Sequence, residues 1–301
     1  MEIRLKSENI ASFLGAEITG SNFTISSFRS ISNLKPFSLS FTKAKQLYSD
    51  FPITVIATHE LVNSCSNITK ISVNDPKLSF SKILDEFYPF ESFNITKFHN
   101  VISKNANIGK NVSIGNYTSI MDDVSIGEDT FIGNNVSIYC GTKIGSNCVI
   151  QSNTVIGHPG FGFVFENSIP YRFKHIGYTF IGNNVEIGCN CTIARASLDT
   201  TVISDNVKID DHVHIAHNCE VGSNTIITAG AVISGSVKVE PNCWIGPNSS
   251  IIQKKTIGNN SLVGIGSIIS KSIPSNSKYM SLTSFTLRNL AKVNKFLKRN
   301  I

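Results

Sequence analysis

Asn107-Ile108-Gly109-Lys110-Asn111-Val112-Ser113-Ile114-Gly115-Asn116-Tyr117-Thr118-Ser119-Ile120 carries an isoleucine at every sixth position. The same phase runs from Ile102 to Ile156, resumes at Ile181, Ile187 and Ile193, and continues with Ile or Val from Ile203 to Ile269. A helix of 3.6 residues per turn would smear such a repeat around its circumference. Short strands joined by regular turns instead stack every sixth side chain in one column. Gly often follows the aliphatic residue, as at Gly109, Gly115 and Gly127, and Asn or Asp crowds the next positions. These residues accept positive φ and tight corners, while Ile and Val suit a buried pleated position. Three strands per coil predict a triangular prism of roughly eight coils with strands about 4.8 Å apart. The fold class expected is therefore mainly β, a parallel β-helix over residues 99–273.

Two interruptions break the phase: His158 to about Gly177, including Gly157-His158-Pro159-Gly160-Phe161-Gly162-Phe163, and four residues around Arg195 to Thr200. Loops on a rigid solenoid tend to carry function, and packing against a neighbouring subunit is the plainer alternative. Residues 1–98 do not follow the repeat. Helical spacing predicts helices at Glu8–Leu14, capped by Ser7, and at Pro76–Phe87, with strands at Phe37–Phe41 and Ile53–Ala57, hence a small α/β domain. Residues 274–301 form a tail whose apolar positions Leu287, Leu290, Leu297 and Ile301 predict an amphipathic helix from Ser281.

The chain has 301 residues and a formal charge of +6, all of it in that tail: Lys278, Arg288, Lys292, Lys295, Lys298 and Arg299 face no acid. The remaining residues balance 21 cations against 21 acids. This asymmetry argues for a local acidic partner rather than a nucleic-acid or membrane surface; solvated charges on a helix packed in a bundle are the alternative. The seven cysteines form no CxxC pair and are expected to be mostly small, buried, reduced side chains. With neither a long apolar run nor a signal-peptide pattern, a cytoplasmic protein is expected.

Asp210-Asp211-His212-Val213-His214-Ile215-Ala216-His217-Asn218 concentrates three of the seven histidines beside two carboxylates. Zinc ligation is one reading, but the odd spacing of His217 from His212 and His214 does not align all three, so no metal is expected. Exposed strand histidines without a role are another. A general base is the third: an amine attacking a thioester must lose a proton, and an imidazole with a reference pKa near 6.5 suits that transfer. One coil beyond His217 lies Gly235, whose N–H could hold an oxyanion, unless that glycine only turns a corner.

Gly157-His158-Pro159-Gly160-Phe161-Gly162-Phe163, Ile181-Gly182-Asn183-Asn184-Val185-Glu186-Ile187-Gly188, Leu198-Asp199-Thr200-Thr201-Val202-Ile203 and Ile215-Ala216-His217-Asn218 resemble the UDP-3-O-acylglucosamine N-acyltransferases of the lipid A pathway. The resemblance covers nearly the whole chain. It implies a left-handed β-helix, a homotrimer with sites between subunits, a uridine-binding N-terminal domain, and an acyl carrier protein phosphopantetheine thioester as co-substrate, with no bound cofactor. It also implies His217 as base, Gly235 as oxyanion-hole glycine, Asp210 beside the 3-hydroxyacyl chain and Phe41 against uracil. Arg288, Lys292, Lys295, Lys298 and Arg299 would then dock the carrier protein. The chain departs from the family pattern at Lys254, which replaces a histidine near the nucleotide phosphates, in lacking an asparagine after Phe41, in a β-helix one coil shorter and in an abbreviated tail. Two other readings stay open: N-acylation of another nucleotide-linked amino sugar from a shorter acyl or coenzyme A thioester, and a β-helical binding scaffold.

Overall fold

The structure, a computed structural model, describes residues 4–63, 66–87 and 99–280. The chain divides into two compact units, Met1–Glu91 and Ser92–Ile301.

In the second unit the repeat becomes a parallel β-solenoid of three sheets with nine, eight and nine strands. Each strand is two to four residues long and pairs with its equivalent one coil away, as Ile120 does with Ile138 and Ile233 with Ile251. The aliphatic columns point inward. Ile114, Ile132, Ile150, Ile187, Ile215, Ile233 and Ile251 are completely buried. The residue two positions earlier shares the same face, because strand side chains alternate, and it is small: Val136, Thr154, Cys148, Cys191, Cys219, Ala231 and Cys243 all lie within the core. Four of the six described cysteines thus serve as core filler, and burial pushes the thiols of Cys191 and Cys219 up to about 11 and 12.

Corners and glycines divide the labour differently from the expectation. The left-handed corners fall every sixth residue, mostly on Asn or Asp, as at Asn111, Asp123, Asp129, Asn135, Asn147 and Asn153. The glycine after the isoleucine has ordinary φ, except at Gly157, the start of the excursion, with φ 81. It is needed for space, since a Cβ on Gly109 would stand 2.7 Å from the Glu128 backbone nitrogen of the next coil.

Across the first interruption paired residues are 37 apart in sequence, Ile150 with Ile187, so nineteen residues leave the coil and the aliphatic columns stay aligned, with a β-bulge between Ile156 and His158 where the excursion begins. The next coil spans 22, Ile187 with Ile209. The first excursion is not an irregular loop. Phe163–Glu166 and Ile169–Arg172 form an antiparallel hairpin closed by Asn167 and Ser168, both at positive φ, the geometry of a two-residue type I′ turn. At the other end the last coil continues past residue 273, with Lys278–Tyr279 pairing onto Leu262–Val263. The expected tail helix lies outside the described residues.

The first unit is a five-stranded sheet in the order Glu17–Thr19, Ile68–Ser72, Ile53–Ala57, Ser38–Thr42, Ser27–Phe28, antiparallel only at the Glu17–Thr19 edge. Helices α1 (Ser7–Leu14) and α2 (Pro76–Phe87) stand where helical spacing put them. Ser7 does not cap α1, however. It is buried, its Oγ donating to the Phe23 carbonyl and lying 2.7 Å from Thr54 Oγ1.

Candidate active site

His217 leaves the solenoid just after the strand His214–Ile215, and Gly235 just after Val232–Ile233, which pairs with it one coil on. The two positions meet as the eighteen-residue spacing requires. A Cβ on Gly235 would come within 2.8 Å of both Cε1 and Nε2 of His217. Gly235 is the first of the two turn residues at this corner, and Ser236 beside it holds the left-handed position with φ 59. It is the space into which the imidazole fits. Among the described residues the Gly235 N–H has no hydrogen-bond acceptor.

The neighbour of His217 sets its tautomer. Asn218 Oδ1 lies 2.9 Å from His217 Nδ1 and accepts from the backbone N–H of Ser197 at 3.0 Å and from its hydroxyl at 2.7 Å. A backbone N–H can only donate, so the atom facing it is the amide oxygen, and His217 must offer Nδ1–H to that oxygen. The lone pair is thereby left on Nε2, the atom turned to Gly235. Ser197 belongs to the four-residue insertion, so that insertion helps to orient the His217 ring.

Both residues line a 510 Å³ cavity between the solenoid and the excursion, together with His158, Phe161, Arg172, His214, Ser234 and Gln253. Arg195 anchors the start of the excursion, its Nε donating to the Gly157 carbonyl at 2.6 Å and a terminal nitrogen to the Cys140 carbonyl at 2.9 Å. Burial lowers the pKa of His214, and His158 and His217 lower it further; its Nδ1 is 2.7 Å from Thr192 Oγ1. His212 sits apart at a left-handed corner with φ 59. Among the described residues no three His, Cys, Asp or Glu side chains converge to hold a metal ion.

Sequence reasoning missed His175. It is 6% exposed, and its ring centroid lies 4.9 Å from that of His217. The available signal was the glycine pair of the excursion motif, since Gly160 and Gly162 both close on this imidazole.

The other expected residues do not line this cavity. Asp210 lines a separate 330 Å³ cavity with Gln151, Glu186 and Lys208 on a different sheet, and its carboxylate accepts the backbone N–H of Asp211 at 2.8 Å and of Ala229 at 3.1 Å. Lys254 occupies a left-handed corner with φ 58, exposed, its N–H donating to the Gly235 carbonyl. Phe41 belongs to the first unit, half-buried, with its ring 5.0 Å from that of Phe80. Arg288, Lys292, Lys295, Lys298 and Arg299 lie outside the described residues.

Comparison with known proteins places this geometry. The bacterial transferase hexapeptide (six repeats) family matches residues 105–138, 123–158 and 200–235. The UDP-3-O-acylglucosamine N-acyltransferase of Dechloromonas aromatica is 51% identical over 73 residues, 24% of this chain and 21% of that protein's length. The enzyme of the same name from Campylobacter lari is 38% identical over 238 residues, 73% of this chain and 74% of its own length. Among solved structures, the UDP-N-acetylglucosamine acyltransferase of Francisella novicida superposes with a TM-score of 0.57 at 21% identity, over 67% of this chain and 78% of that one, a likeness of fold. Extending across most of both chains, the Campylobacter lari match makes this chain a member of the UDP-3-O-acylglucosamine N-acyltransferase family of hexapeptide-repeat acyltransferases.

Proposed function

We propose that this chain transfers a 3-hydroxyacyl group from an acyl carrier protein thioester to the amine of UDP-3-O-acylglucosamine, as a homotrimer and in the cytoplasm. The observation that carries the chemistry is the fixed tautomer of His217: Asn218 Oδ1 takes Nδ1–H, and Nε2 faces Gly235 as an acceptor. The substrate amine attacks the thioester carbonyl carbon, a C–N bond forms, and the carbonyl oxygen becomes an oxyanion that the free Gly235 N–H can receive. His217 Nε2 takes the proton from the attacking nitrogen. The C–S bond then breaks, the amide carbonyl reforms, and the departing sulfur collects the proton from His217.

The sharing of residues between faces supports a site completed by a second copy. His217 and Asp210 line different cavities of one chain. The outward row of the sheet that carries the Asp210 cavity holds Phe131, Val149, Ile226, Trp244 and Leu262 with Glu186 and Lys208 paired among them, whereas that of the eight-stranded sheet mixes Lys143, Glu220 and Lys238 with Phe180 and Val202. The larger share of apolar side chains on the first row fits burial against another subunit. In the same reading Asp210 lies beside the acyl chain, Phe41 against uracil, Lys254 near the nucleotide phosphates as a point charge, and the cations from Arg288 to Arg299 against the carrier protein.

The test is an incubation matrix of UDP- and dTDP-linked amino sugars against carrier-protein and coenzyme A thioesters, read by mass spectrometry. Amide formation on UDP-3-O-acylglucosamine from the 3-hydroxyacyl carrier protein, lost by about 10²- to 10⁴-fold in His217→Ala, is the expected result. Transfer confined to short acyl groups and another amino sugar sinks the substrate assignment, and full activity in His217→Ala sinks the base.

A further inference from the structure

His175 is a buried titratable side chain for which the reaction just described has no use. Its Nδ1 lies 3.1 Å from the Phe173 carbonyl oxygen, which can only accept, so Nδ1 carries the proton and Nε2 the lone pair. Nε2 is buried without a hydrogen-bond partner. An orphaned buried acceptor costs stability, so a polar ring here asks for a reason that packing alone does not supply.

The surroundings are moulded to this ring. A Cβ on Gly162 would stand 2.6 Å from His175 Cε1. A Cβ on Gly160 would stand 3.0 Å from His175 Nε2 and also 3.0 Å from His217 Cβ, so the free nitrogen lies on the side of the ring toward the base. The two imidazoles meet edge to face, with planes at 61°. The charged or chargeable groups acting on His175 are His217, Arg172 and Arg195, and together with burial they lower its pKa; none is a carboxylate. A ring that stays uncharged is the one that can rest against an imidazolium without repelling it.

We propose that His175 is a positioning residue for acyl transfer: its imidazole holds the His217 ring in line with Gly235 and turns its Nε2 lone pair toward the imidazolium that His217 becomes on taking the amine proton. The inference rests on the reading of His217 as the base. It also accounts for Gly160 and Gly162 in the excursion motif, whose missing side chains admit the ring.

The experiment compares His175→Phe, which keeps a ring but has no lone pair, with His175→Gln, which keeps an acceptor and a donor, and with His217→Ala, all on the intact chain. His175→Phe is expected to lower kcat about tenfold, the size of one lost interaction with a charge, with KM unchanged; His175→Gln stays within about threefold of the parent. A His175→Phe variant that folds and keeps the parental kcat overturns the proposal. Because Gly162 leaves little room for an extra ring atom, nitrogen-15 NMR of the histidine-labelled parent gives a second measure. His175 must hold the Nδ1–H tautomer uncharged across the pH range in which the enzyme is active, and a His175 that is protonated there overturns the proposal equally. Undiminished activity in His217→Ala would fault the base assignment instead, and so separates the two failures.

Discussion

The regular coils from Val101 to Ile156 and the excursion from His158 to Gly177 belong to one unit, yet they treat apolar side chains in opposite ways. In the coils Ile114, Ile132, Ile138 and Ile150 are fully enclosed, whereas Phe161, Phe165, Ile169 and Tyr171 of the excursion are 84, 75, 69 and 65% exposed. The coils gain their burial from strands one turn away, so stability accumulates turn by turn. The excursion contributes little of that kind. It contributes His158, His175 and Arg172 around His217, and it leaves the aliphatic columns of the coils on either side aligned, with a β-bulge between Ile156 and His158. Stability and chemistry have been assigned to different residues of the same solenoid, and substitutions can test how cleanly.

Ile132→Ala should give the largest effect on stability, about 2–5 kcal/mol for a large-to-small change at a fully buried position, with kcat per folded molecule unchanged; equilibrium denaturation beside kinetics checks both halves. Gly235→Ala should do the reverse. Its methyl would arrive 2.8 Å from the His217 ring, and a displaced base costs about 10²-fold in kcat, with the denaturation midpoint nearly unmoved. A loss of stability as large as that of Ile132→Ala would break the comparison.

Alkaline pH should act on the coils alone. Burial raises the thiols of Cys148, Cys191, Cys219 and Cys243 above the ordinary value of 9.0. Between about pH 9 and the raised folded values, the unfolded chain loses these protons while the folded chain keeps them, so stability falls as pH rises through that window. Replacing Cys219 and Cys243 with Val should flatten the slope, as thermal unfolding between pH 8 and 10.5 would record. The smallest effect belongs to Lys208→Ala: its 2.6 Å pair with Glu186 is half-exposed, and loss of such a surface pair costs less than about 1 kcal/mol.

Much of the active site is legible in the order of the amino acids. His217 and Gly235 follow from the repeat itself, because a constant coil length turns sequence spacing into spatial adjacency. Asn218 stands in the motif, yet its role depends on Ser197 arriving from the preceding coil. His175 is out of reach because the excursion has no period, so nothing in its spacing says where its residues return. Its hairpin is obscured in the same way, with Pro170 inside a strand that pairs only with its own partner. The glycines that follow the isoleucines mislead for a related reason. Positive φ and lack of room both favour glycine, and only the neighbouring coil shows which one operates.

By itself the sequence determined the parallel β-solenoid, the three-strand coil, the buried cysteines and the candidate base, since each depends on a local period repeated without change. Tertiary structure alone decided the tautomer of His217, the second imidazole beside it, and the separation of Asp210 onto another face. Those depend on which insertion meets which coil, a long-range contact whose geometry no local spacing encodes.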